Sequence, residues 1–103
     1  MENENATKMS DLLTRLKIDI GIINSTTYDE RLTSLLNAAR GDVEHWIGEA
    51  IDLDNISDAE LIIDYARWQW LSRREPTAMS PSLKYRLDCR AFARAIPQGG
   101  SAT

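Results

Sequence analysis

Few residues in this sequence are of types that carry chemistry, and their spacing decides how little they can do. There is one histidine, His45, and one cysteine, Cys89, with a cluster of acids at Asp52-Leu53-Asp54-Asn55-Ile56. A histidine acting as base needs a nucleophile or metal beside it, and His45 has no such neighbour in the sequence. One His with one Cys cannot supply the four ligands of a structural zinc site, and a lone Cys closes no internal disulfide. The acidic cluster superficially suggests a calcium loop, but the glycine and the terminal bidentate Glu are missing at their offsets, so it is read as a solvated connection. No phosphate-cradling Gly loop, HExxH or GxSxG occurs. His45 is expected on a solvated helix face and Cys89 as a small buried hydrophobe. The expectation is a protein that is not an enzyme and uses no cofactor or metal.

Arginine is the more informative residue. Arg86, Arg90 and Arg94 recur every fourth position and form one row on a helix. Three uses fit such a row: solvation beside Asp88 and other acids, contact with phosphates, or pairing with acids of another protein chain. Ser80-Pro81 ahead of a basic helix imitates a DNA-recognition helix. However, the Pro76–Pro81 connection is longer than a helix-turn-helix turn, and the chain is acidic overall. Trp68 and Trp70 are expected in the core or at an interface rather than as base-stacking platforms.

The charges are unevenly placed. Over 103 residues the net charge is −4, yet residues 1–66 hold 5 basic and 14 acidic side chains, whereas residues 67–103 hold 7 basic and 2 acidic. Either the two halves neutralise each other within one fold, or copies meet head to tail through unlike patches. A 43% hydrophobic and 27% charged composition fits one small globular domain and excludes disorder throughout. No apolar run approaches a membrane span. Met1–Ser10 carries acids and amides where a cleaved signal would carry basic and then apolar residues, so export by that route is not expected and the N-x-S/T triplets at Asn5, Asn24 and Asn55 are read as chance.

Four helices must position these residues. Residues 1–9 are polar and predicted to be flexible. Ser10 is predicted to cap a helix through Ile18 with Leu12, Leu13 and Leu16 inward, followed by a loop over Asp19–Thr26. Thr27-Tyr28-Asp29-Glu30 reads as a capping box for a long second helix, whose Leu32, Leu35, Leu36, Ala39, Val43, Trp46 and Ile47 form one stripe ending near Gly48. Ser57-Asp58-Ala59-Glu60 reads as a second capping box, for a helix to about Arg73 that is apolar on most sides. Its second face is either buried in the same bundle or a subunit contact. Ser80 at the N-cap and Pro81 at the first position start a fourth helix to Ala95, with Leu83, Leu87 and Ala91 in a row. Residues 96–103, rich in Gly, are predicted to be a flexible tail. With no strand pattern, the fold class is all-α: a four-helix bundle-like single domain over residues 10–95.

Certain of these residues occur in a familiar order: Leu12-Leu13-x-x-Leu16-Lys17-Ile18-Asp19, Asp29-x-x-Leu32, Leu35-Leu36-x-Ala38-Ala39, Trp46-Ile47-Gly48, Asp58 and Glu60, Ile63-x-Tyr65-Ala66-x-Trp68, Arg73, and Pro81-x-Leu83-x-x-x-Leu87. Over roughly residues 10–95 the chain thereby resembles the small head–tail connector (adaptor, or head-completion) proteins of long-tailed bacteriophages. The resemblance implies a helical protein assembled as a homo-oligomer ring, usually around twelve copies, beneath the phage portal protein. The ring would extend the DNA channel and dock the next neck or tail completion protein. Genomic DNA would pass through the lumen without sequence-specific binding, and no membrane would be involved. The expected location is the head–tail junction of the virion, and the host cytoplasm during assembly. Subunit or portal contacts are expected at Arg67, Trp70, Arg73, Arg74, Arg86, Arg90 and Arg94, and reversing Arg90 to Glu is expected to weaken assembly while leaving helicity intact. The alternative is a small helical DNA-binding regulator using the basic helix 81–95; an antitoxin-like protein is a third reading, supported by size alone.

Overall fold

The computed structural model describes the backbone of residues 2–95 and the side chains of residues 8–93. Four α-helices follow one another: α1 (Glu2–Ile20), α2 (Asp29–Ile47), α3 (Ile56–Leu71) and α4 (Pro81–Ala95), with no strand among the described residues. The fold is an all-α, four-helix bundle-like domain, as the periodicity predicts. The tail at 96–103 lies outside the described residues.

Leucines at helical spacing build the core. Leu12 and Leu16 of α1, Leu32, Leu36, Ala39, Val43 and Ile47 of α2, and Leu83 and Leu87 of α4 are all buried. Between them α3 buries Leu61, Ile62, Ile63, Tyr65, Ala66 and Trp70 at once. Those six residues fall on more than one helical face, and α3, like α2, packs against each of the other helices. Its second apolar face is therefore largely buried within the chain.

Local chemistry departs from the sequence reading at three helix starts. First, α1 begins at Glu2 and not at a Ser10 cap. Residues 2–9 contain no Gly or Pro to stop a helix, and the Lys8 ammonium is held 2.8 Å from Asp54 while Met9 packs on the core. Ser10 is instead about two turns inside the helix, where its carbonyl accepts from the Thr14 hydroxyl. As a result α1 is as long as α2, each having 19 residues.

Second, the Thr27 capping box does not form. Tyr28 occupies the N-cap without a side-chain cap, and Thr27 turns its backbone N–H to the Ser25 hydroxyl. Asp29 spends its carboxylate on the Lys17 ammonium, 2.7 Å away, which accounts for a lysine that is only 7% exposed. A buried ammonium needs a paired carboxylate, and Asp29 supplies it.

Third, α3 is capped by Asn55 rather than Ser57. The Asn55 amide oxygen accepts from the Asp58 N–H at 3.1 Å, and Glu60 pairs with Arg15 instead of reaching back to the cap. The helix ends at Leu71 with Ser72 as its C-cap, slightly short of Arg73. The Ser80–Pro81 start holds as read, with Ser80 Oγ accepting from the Leu83 N–H at 3.1 Å. So does the α2 stop, where Gly48 adopts φ 82°, left-handed backbone that favours glycine.

Candidate assembly surface

Two arginines of the α4 row, Arg86 and Arg90, pair with acids of the same chain. Arg86 donates to Asp64 on α3. Arg90 approaches Asp58 with two nitrogens, Nε to Oδ1 at 2.8 Å and Nη2 to Oδ2 at 3.2 Å, and gives Nη1 to Glu49. Hydrogen bonds to Asp58, and after them to Glu49, outweigh partial burial and raise the Arg90 pKa above its ordinary value, so it is permanently charged. Between the α4 arginines Asp88 accepts from the Trp46 indole at 3.0 Å and from Lys84 at 2.8 Å. The charge asymmetry is thus met within one fold for this pair of residues: Arg86 and Arg90, both expected as contact residues, have acid partners in their own chain. The side chain of Arg94 lies outside the described ones.

The α3 candidates divide differently. Trp70 is only 7% exposed and is floor rather than surface: Tyr28 meets its ring edge-on at 5.5 Å, and the Arg73 guanidinium lies over the ring, 3.7 Å from its centre. Arg73 Nη1 also donates to the Trp70 carbonyl at 2.6 Å, leaving its other nitrogens outward. Arg67 and Arg74 are exposed, and neither has an acid partner among the described residues. Trp68 is tied to the α3–α4 connection, its indole donating to the Thr77 carbonyl at 2.8 Å, so it is no stacking platform.

Three features escape a reading of periodicity. A groove of about 290 Å³ runs between α2 and α3, lined by Arg31, Ser34, Leu35, Gln69, Trp70 and Arg73. Gln69 gives its amide to Asp42 but its carbonyl oxygen, buried beside the groove, has no donor among the described residues. Secondly, Ile56 at the start of α3 is 75% exposed. Thirdly, Tyr85 and Phe92 are 70% and 67% exposed on α4, with an exposed Cys89 between them. The Tyr85 phenol has its pKa raised, first by a hydrogen bond with Cys89 and then by the charge that thiol can carry. Cys89 is therefore surface and not the buried hydrophobe expected of it. Arg31 and Leu35 share a face at i, i+4, a signal that was present in the sequence but masked by the stronger leucine stripe beside it. Ile56 lies three and seven residues before the buried Ala59 and Ile63, so its spacing reads as core, and only the fold shows it exposed at the first residue of α3.

His45 is exposed, and no group of three His, Cys, Asp or Glu side chains able to hold a metal is assembled among the described residues. No described helix is long and apolar enough to cross a membrane. The described surface thus carries an apolar stripe with a thiol, a cation-flanked groove and a projecting isoleucine. No family model, curated protein or solved structure matches this chain.

Proposed function

We propose that this chain is a structural virion protein, a head–tail connector of a long-tailed bacteriophage. Its copies would form a ring of roughly twelve beneath the portal, extend the DNA channel and dock the next neck or tail component. The observation that carries the reading is the α4 stripe. Tyr85 and Phe92 stay about two-thirds exposed on one face of a helix whose opposite face supplies Leu83 and Leu87 to the core. Two large aromatics on one outer face are costly in a monomer and useful in an assembly. The ordered leucine, tryptophan and arginine motifs supply the family to which that surface is referred.

The net charge of −4 suits a channel through which DNA slides, because tight binding needs phosphates to be neutralised. The alternative, a DNA-binding regulator using helix 81–95, is less well supported: Arg86 and Arg90 spend their donors on Asp64, Asp58 and Glu49. Native mass against concentration, with electron microscopy of any large species, tests the proposal. A ring is expected, alone or on mixing with a portal. A stable dimer that binds duplex DNA sequence-specifically would overturn it in favour of the regulator.

A further inference from the structure

The two ends of the α2–α3 pair are unlike, and complementary. At one end the connection into α3 projects Ile56, flanked by the exposed acids Asp52 and Asp54. Asp54 is paired with Lys8, whereas Asp52 has no cation partner among the described residues and uses Oδ1 to accept from the Asp54 N–H. At the other end lies the groove floored by Leu35 and Trp70 and flanked by Arg31 and Arg73. Arg31 is exposed with no acid partner among the described residues.

These ends cannot meet within one chain. Trp70 is 14 residues beyond Ile56 on the same helix, about 21 Å along its axis at 1.5 Å per residue. A convex apolar residue with acids around it and a concave apolar site with arginines around it match in shape and in charge sign. We propose that a second copy of this chain is the occupant of the groove, inserting Ile56 between Arg31 and Arg73 with Asp52 facing those guanidiniums. The contact is heterologous: each copy uses its knob on one neighbour and its groove on another, so copies add head to tail and close into a ring when the rotation per copy permits. The proposal rests on the assembly reading above and names its subunit contact. One isoleucine in one groove is a small contact, weak for a single pair, and simultaneous engagement around a closed ring is what would make it persist.

Disulfide trapping reads weak contacts directly. In a Cys89→Ser background, chains carrying Ile56→Cys are mixed with chains carrying Ser34→Cys and oxidised. The mixed pair is expected to link at least about tenfold faster than either variant with itself, because only the mixed pair places the two thiols together. Arg31→Glu in the Ser34→Cys chain is expected to slow linking, and Asp52→Arg in the Ile56→Cys chain to restore it. Equal rates for mixed and self pairs, or slowing that the charge swap does not rescue, overturn the contact. Circular dichroism of each variant confirms its helices; should Ile56→Cys disturb α3, native mass gives a second route, with Arg31→Glu alone expected to lower the assembled mass and Arg31→Glu/Asp52→Arg in one chain to restore it. The two readings fail separately: rings seen by microscopy without mixed-pair linking would sink this contact and spare the connector, whereas fast mixed-pair linking with open strings in place of rings under the microscope would keep the contact and sink the connector.

Discussion

Arg90 lies side-on to Asp58 across the α3–α4 contact, two nitrogens on two oxygens, with the carboxylate only 2% exposed. Asp58 also accepts from the Asp52 N–H at 3.3 Å, and Arg90 also donates to Glu49. One arginine therefore fastens the end of α4 to the start of α3 and to the segment after α2. Its geometry belongs to the fold before it belongs to any partner.

Removing one member of this pair should cost more than removing both. Arg90→Ala leaves a buried carboxylate without its cation and is expected to lose about 3 kcal/mol or more in urea denaturation. Arg90→Glu adds a second negative charge there, so it should disturb the fold itself. The sequence-based expectation of intact helicity in that variant is revised accordingly. The double variant Asp58→Leu/Arg90→Met should return to within about 1 kcal/mol of the parent. Additive losses in the double variant would show that the pair is not coupled.

Leu87 is fully buried and, with Leu83, supplies the fully apolar anchoring of α4. Leu87→Ala is expected to cost about 3 kcal/mol, through lost burial and the cavity left behind. Thermal unfolding by circular dichroism checks the value, and a loss below about 1 kcal/mol would mean that polar contacts hold α4 on their own.

Asp88 titrates below its ordinary 3.8, chiefly through the hydrogen bond from Lys84 and then the one from the Trp46 indole. Its folded pKa is depressed, so the stabilisation is present above the unfolded value and is lost as pH falls through the folded one. The indole N–H resonance of Trp46 should follow that protonation in an acid titration. Lys84→Ala should move the midpoint upward, and an unmoved midpoint would remove Lys84 as the cause.

Two glycines of α2 should respond oppositely to alanine. Gly41 is mid-helix with nothing within 4 Å of an added Cβ, so Gly41→Ala should stabilise the chain by about 1 kcal/mol. Gly48 sits at φ 82°, and Gly48→Ala should cost about 1 kcal/mol. Melting temperatures of the two variants, shifted up and down, would check both.

The sequence by itself determined the class and most of the core. Leucines three and four apart can satisfy burial only as helices, and Ser80-Pro81 and Gly48 mark helix ends through backbone constraints that act within a few residues. Only the tertiary structure decided the partners of the charges. Glu60 could close a capping box or pair with Arg15, and Arg90 could face solvent, a phosphate or an acid, which in the fold is Asp58. Such choices turn on which groups packing removes from water, a quantity no local spacing contains. For the same reason Trp70 became a floor, Cys89 and Phe92 became surface, and the groove between Arg31 and Arg73 appeared only when α2 and α3 were laid side by side.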